Sequence, residues 1–151
     1  MQPAILYYVY DPMCSWCWGY HHTWTKLQDL LSQQCDVTLQ IQYVLGGLAP
    51  DTNEPMPEDL QIFLQQTCLR VHEQLGTEFN VDFWTKCQPK RSSYPACRAL
   101  LGARQQGLEK AMYQAIQQAY YLQAKNPSEL TTLIELAEQI GIDPISFKRT
   151  I

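Results

Sequence analysis

The sequence predicts an α/β chain: a βαβ unit at the N-terminus followed by a segment that is almost entirely helical. Three observations lead there. Ala4 to Tyr10 (AILYYVY) is an apolar, aromatic run bounded by Pro3 and by Asp11-Pro12. Val37 to Leu45 (VTLQIQYVL) is a second β-rich run, closed by Gly46-Gly47. Between them Tyr20, Trp24, Leu27 and Leu31 recur at helical intervals, and beyond Pro57 nearly every apolar pattern is helical.

The short first run, with no polar alternation, suits a strand buried on both faces. The helix after it runs from Cys14 to about Gln33. Strand, helix and strand within about 45 residues make a right-handed crossover with the two strands parallel. A proline-rich linker from Pro50 to Pro57 follows. Glu58 to Leu75 then places Leu60, Phe63, Leu64, Thr67, Val71 and Leu75 on one helical face, and Gly76 supplies a stop. One short helical turn is expected over Val81 to Trp84. Ser92 or Ser93 can cap a helix that carries Pro95 in its first turn and runs to about Gln106. Further helices are expected from Leu108 to Lys125, from Ser128 or Glu129 to Ile140, and from Asp143-Pro144 onward. The sequence therefore divides into residues 1–50, a βαβ unit; 56–141, a helical segment; and 142–151, the start of a helix.

Composition narrows the function. The chain has 151 residues, 46% of them hydrophobic and 17% charged, enough for one core. A net charge of -4, with Lys90-Arg91 and Lys148-Arg149 the only adjacent basic pairs, argues against nucleic acid as a partner. No run reaches the roughly 18 apolar residues of a membrane helix, and the start lacks a basic n-region, so the expectation is a soluble, cytoplasmic protein. In such a compartment cysteines are mostly free thiols, and Cys35, Cys68, Cys87 and Cys97 read singly as small buried hydrophobes.

Cys14-Ser15-Trp16-Cys17 stands apart. Two cysteines three apart at a helix start lie on adjacent turns, and the first sits where unpaired backbone N–H groups favour an anion. Cys14 is thus the expected nucleophile, with a lowered pKa, and Cys17, one turn in, the resolving thiol. Trp16 and Trp18 read either as ordinary aromatics or as an apolar lip for a polypeptide substrate. His21 can share the face of Cys14 and Cys17, although His21 and His22 also read as solvated or hydrogen-bonded side chains. A zinc site would need a second pair; the best complement is Cys68 with His72. Haem attachment does not fit, because Trp18 follows Cys17.

The run Asp11-Pro12-Met13-Cys14-Ser15-Trp16-Cys17-Trp18-Gly19 resembles the active-site signature of the DsbA-like, FrnE-type disulfide isomerases. Leu45-Gly46-Gly47-Leu48, Pro95-Ala96-Cys97-Arg98-Ala99 and Tyr120-Tyr121-Leu122-Gln123-Ala124 resemble the same family. The resemblance implies a thioredoxin-like fold with a large all-helical insertion after the second strand. It also implies further C-terminal strands, preceded by a cis-proline loop, which this chain does not contain; a fragment or a completing partner is the expectation. The implied activity is thiol-disulfide oxidoreduction or isomerisation on protein or peptide disulfides, with a thiol redox partner and no dissociable cofactor or metal. Tyr94, Pro95 and Cys97 form a helix start that could face the dithiol and touch substrate, with Cys97 either a third redox thiol or a buried structural one. Two alternatives stand beside this: a glutathione-dependent isomerase or transferase of the kappa-like class, in which serine replaces Cys14, and a non-enzymatic zinc module built on Cys14, Cys17, Cys68 and His72.

Overall fold

A computed structural model describes residues 4–33 and 39–151. Cys35 and the first two residues of the expected second strand, Val37 and Thr38, lie outside the described residues. Strand β1 is Ala4–Tyr10, helix α1 Ser15–Ser32 and strand β2 Leu39–Leu45. The strands pair in parallel, from Ala4 opposite Leu39 to Tyr10 opposite Leu45. They form a two-stranded sheet among the described residues.

One expectation about β1 is corrected. Tyr10 is buried, but Ile5, Tyr7 and Val9 are 46%, 58% and 61% exposed. Side chains alternate across a strand, and only one side meets helices: Trp24 of α1 stacks on Tyr8 at 3.9 Å between ring centroids. On the same side Tyr113 meets Tyr10 edge-on at 4.8 Å. The uninterrupted apolar run reads as doubly buried, yet the cover lies on one face.

After the linker come α2 (Glu58–Leu75), α3 (Phe83–Lys86), α4 (Tyr94–Gln105), α5 (Glu109–Tyr121), α6 (Leu130–Gln139) and α7 (Pro144–Lys148). Helix α2 ends where Gly76 enters the left-handed region at φ 69° and its N–H bonds the His72 carbonyl. Its expected inner stripe is only partly covered: Thr67 and Val71 are buried, whereas Phe63 and Leu75 are exposed. The helix packs chiefly on α1, and so tightly that a Cβ on Gly19 would lie 2.5 Å from Val71 Cγ1. Helix α3 starts two residues later than Val81, because the Asn80 side chain accepts the Asp82 N–H and holds a turn there. Helices α5 and α6 are shorter at their ends than periodicity suggests. Asp143 caps α7 by accepting the Ser146 N–H at 2.9 Å.

The main core is built on the alanine-rich face of α4. Ala96, Ala99, Leu100 and Ala103 pack with Met112 and Ile116 of α5, Leu133 and Leu136 of α6, and Phe147 of α7. Small side chains on α4 let its neighbours approach closely. Tyr10, Met13 and Cys17 join this cluster, which anchors the strand-to-helix junction to the helical segment. A second cluster of Phe83, Tyr120 and Tyr121 receives Trp18.

Candidate active site

Strand β1 ends at Tyr10 and the chain turns through Asp11-Pro12 into α1. Cys14 is the N-cap residue, extended at φ -85° and ψ 118°, with its N–H donating to the Asp11 carbonyl at 3.2 Å. The first turn of α1 therefore aims free backbone N–H groups at the Cys14 sulfur. The Cys17 thiol donates a hydrogen bond to Cys14, and with the N–H groups of Cys17 and Trp16 this brings the Cys14 thiol down to about 6, against an opposing effect of burial. Giving that hydrogen bond, and being buried, holds Cys17 protonated far above the ordinary thiol range. The two sulfurs thus differ in kind: one is an anion at neutral pH, the other a donor.

Asp11 organises the surroundings and was not singled out from sequence. It is 2% exposed. Its Oδ1 accepts the Met13 N–H at 2.8 Å. Its Oδ2 accepts from Leu48 N–H at 2.9 Å, Ser93 Oγ at 2.8 Å and Cys97 Sγ at 3.6 Å. The Ser93 hydroxyl also accepts the Ala49 N–H, so it makes no side-chain cap on α4, contrary to the capping role expected for it. The Ser93 and Tyr94 N–H groups bond the Ala49 carbonyl instead. Gly47, at φ 60°, lets the loop pass against the Tyr94 ring, which lies 3.1 Å from where a Cβ would stand. The signal available in the sequence was an aspartate two residues before an N–H that it could cap, ahead of the cysteine pair.

Cys14, Ser15 and Trp16 line a cleft of about 420 Å³ whose opposite walls come from α2 and the segment before α4, including Phe63, Arg70, Arg91 and Ser92. Trp16 is 43% exposed there. Trp18 is not brought to this cleft: its Nε1–H donates to the Glu78 carbonyl at 3.0 Å and its ring stacks on Tyr121 at 5.7 Å. Pro95 sits half-buried in the first turn of α4, outside the cleft lining. His21 stacks on Trp18 and lines a separate cavity of about 720 Å³ with Tyr8, Trp24 and Tyr43.

The remaining described thiols are unlike Cys14. Burial, then the Asp11 charge, pushes Cys97 up to about 12. Burial pushes Cys68 up to about 11, and Cys87 donates to the Ala124 carbonyl at 3.1 Å. His72 Nδ1 is bonded to the Thr77 carbonyl. Among the described residues no group of three or more His, Cys, Asp or Glu side chains is placed to hold a metal ion, so Cys14, Cys17, Cys68 and His72 do not assemble as a ligand set. Among those residues no helix is long and apolar enough to cross a membrane.

Residues 7–151 match the family described as Thioredoxin. Among solved structures, a Nitrosomonas europaea protein assigned as a protein disulfide isomerase is similar at 27% identity and TM-score 0.79, over 99% of this chain and 70% of that one. The cytosolic disulfide reductase DsbM from Pseudomonas aeruginosa is similar at 28% identity and TM-score 0.70, over 96% of this chain and 69% of that one. The same reductase with GSH is similar at 28% identity and TM-score 0.69, over 96% and 70%. No curated protein matches.

Proposed function

Since the chain belongs to the thioredoxin family, and its solved neighbours are DsbA-like thiol-disulfide oxidoreductases, we propose that Cys14 and Cys17 are the dithiol through which it exchanges disulfides. The observation that carries this is the placement of Cys14 as the N-cap of α1 on the cleft, with Cys17 one turn in and packed against the core; the Cys14 thiol is correspondingly lowered and the Cys17 thiol raised.

The Cys14 thiolate attacks one sulfur of a substrate disulfide, forming a mixed disulfide and expelling the other sulfur as a thiolate, which takes a proton from solvent. Cys17 then loses its proton and attacks Cys14 Sγ; the Cys14–Cys17 bond forms as the second substrate thiol leaves. Two electrons have passed to the substrate, and two equivalents of an external thiol restore the pair. Negative charge on Cys14 is lost at the first step, so Cys17 need not stabilise it in the second.

The substrates are disulfide-bearing peptides or proteins, and Trp16 offers them an apolar surface beside the nucleophile. Trp18 and Pro95 act from behind that surface, as supports for α1 and α4. That DsbM is described with GSH supports glutathione as the external thiol, and that it is described as cytosolic supports the cytosol as the setting. Residues 1–50 carry the thiols, residues 56–141 supply the facing wall of the cleft, and residues 142–151 begin the return from it.

The test is reduction of a disulfide-containing peptide by the parent and by Cys14→Ser and Cys17→Ser variants. Cys14→Ser should be inactive, and Cys17→Ser should stop at a mixed disulfide on Cys14 detectable by intact mass. Turnover by Cys14→Ser equal to the parent overturns the assignment.

A further inference from the structure

The cavity of about 720 Å³ that His21 lines shares no lining residue with the Cys14 cleft. One side of it comes from α1, with Tyr8 and Tyr10 of β1 and Tyr43 of β2; the other comes from the end of α4 and the start of α5. Helix α1 packs chiefly on α2 and not on α5, so the two walls stand apart. What ties them together is the floor. The Tyr10 hydroxyl donates to Glu109 Oε1 at 2.6 Å, and Arg104 holds both oxygens of the same carboxylate at 2.7 and 2.8 Å. Clefts of this size between packed units are where small ligands ordinarily bind.

The floor is aromatic. Tyr43 stands across the stacked Tyr8 and Trp24 rings, at 71° and 84°. Trp24 is buried, whereas Tyr43 is 39% exposed. The Tyr43 hydroxyl accepts from Gln28 Nε2 at 2.7 Å, which leaves its own O–H to donate.

The walls carry opposite charges that do not meet. Asp29 lines the cavity from α1 and Lys110 from α5. Neither makes an ion pair among the described residues, whereas Arg104 and Glu109 are spent on each other. Burial, then His22 and Lys110, hold His21 below the ordinary histidine range, so at pH 7 it is a neutral imidazole. One unpaired cation and one unpaired anion thus flank a shared aromatic floor. A ligand of single charge satisfies one of them; a zwitterion built on a flat ring satisfies both.

We infer that this cavity binds a free aromatic α-amino acid, with its carboxylate at Lys110, its ammonium at Asp29 and its ring against Tyr43. Ring faces and edges carry complementary partial charges, so a flat ring placed there gains beyond the area it buries. The site is separate from the dithiol and stands whether or not Cys14 is the nucleophile.

The experiment is titration calorimetry of the protein with four probes. They are L-tryptophan, tryptamine (no carboxylate), indole-3-propionate (no ammonium) and glycine (no ring). Tryptophan should bind saturably and about threefold more tightly than either singly charged indole, as one exposed ion pair allows, and glycine should not bind. Lys110→Ala should weaken tryptophan and indole-3-propionate about threefold and leave tryptamine unchanged. Asp29→Ala should weaken tryptophan and tryptamine and leave indole-3-propionate unchanged. Both residues are exposed on helices, so these variants should melt with the parent. Tyr43→Ala should weaken all three indoles alike. Absence of saturable tryptophan binding, tighter binding of a singly charged indole, or charge variants that bind tryptophan like the parent or weaken all three indoles equally overturns the inference.

Discussion

Removing the Cys17 thiol while leaving α1 intact isolates what activates Cys14. The Cys17 hydrogen bond is the largest influence lowering Cys14; the N–H groups of Cys17 and Trp16 also help, and burial opposes them. With a pKa of about 6, the Cys14 thiol is about nine-tenths ionised at pH 7, where an ordinary thiol is only a few per cent ionised. In Cys17→Ala the backbone N–H groups remain but must offset burial alone, so the midpoint should rise above 7 and the thiolate fraction at pH 7 fall below about half. Cys17→Ser keeps an O–H donor in the same place and should titrate near the parent. The assay is alkylation of Cys14 by iodoacetamide across a pH series, with the modified residue located by peptide mass spectrometry. The midpoint is the quantity to compare, since a less acidic thiolate is intrinsically more nucleophilic and raw rates mix the two effects. Equal midpoints in the alanine and serine variants would refute the hydrogen-bond account and leave the helix start as the sole cause.

Three further outcomes follow from the same geometry. The depressed Cys14 pKa means that between about pH 6 and 9 the folded, reduced chain binds fewer protons at this site than the unfolded chain. This site's contribution to urea stability should therefore grow as pH rises through that window, and be absent from Cys14→Ser. Asp11→Asn removes a charge that opposes the Cys14 thiolate and misplaces an amide N–H against donors that now face Oδ2. The alkylation midpoint should fall while stability drops by about 2–4 kcal/mol in urea melts. Gly19→Ala sets a methyl 2.5 Å from Val71 Cγ1 and 3.0 Å from Leu75 Cδ1; overpacking should cost about 1–3 kcal/mol against roughly 1 kcal/mol of gained helix propensity. Val71→Ala in the same chain should recover part of the loss, a non-additivity read by a double-mutant cycle.

What could be read from the sequence was what neighbouring residues decide. Pro3 and Asp11-Pro12 bracket β1, and Pro57 and Gly76 bracket α2, so both elements lie where the sequence puts them. The paired cysteines at a strand-to-helix junction are equally local. Asp11 escaped notice because three of its donors, on Leu48, Ser93 and Cys97, lie 37, 82 and 86 residues away. The same distance in sequence hid the fate of the Ser93 hydroxyl, which had looked like a helix cap. Trp16 and Trp18 could not be told apart by spacing; their exposures diverge because Tyr121 and the Glu78 carbonyl happen to meet the second.

The Asp11 network also sets an order in time. At about 5–20 residues per second, Cys97 leaves the ribosome roughly 4–17 s after Asp11. For that interval the dithiol has been synthesised, but the partners from residues 48, 93 and 97 that seat the carboxylate beside it have not all arrived. The second wall of its cleft is still incomplete. A nascent chain therefore carries its two adjacent cysteines before it carries the enclosure that distinguishes them, and placement of the reactive sulfur is deferred until the helical segment closes over Asp11.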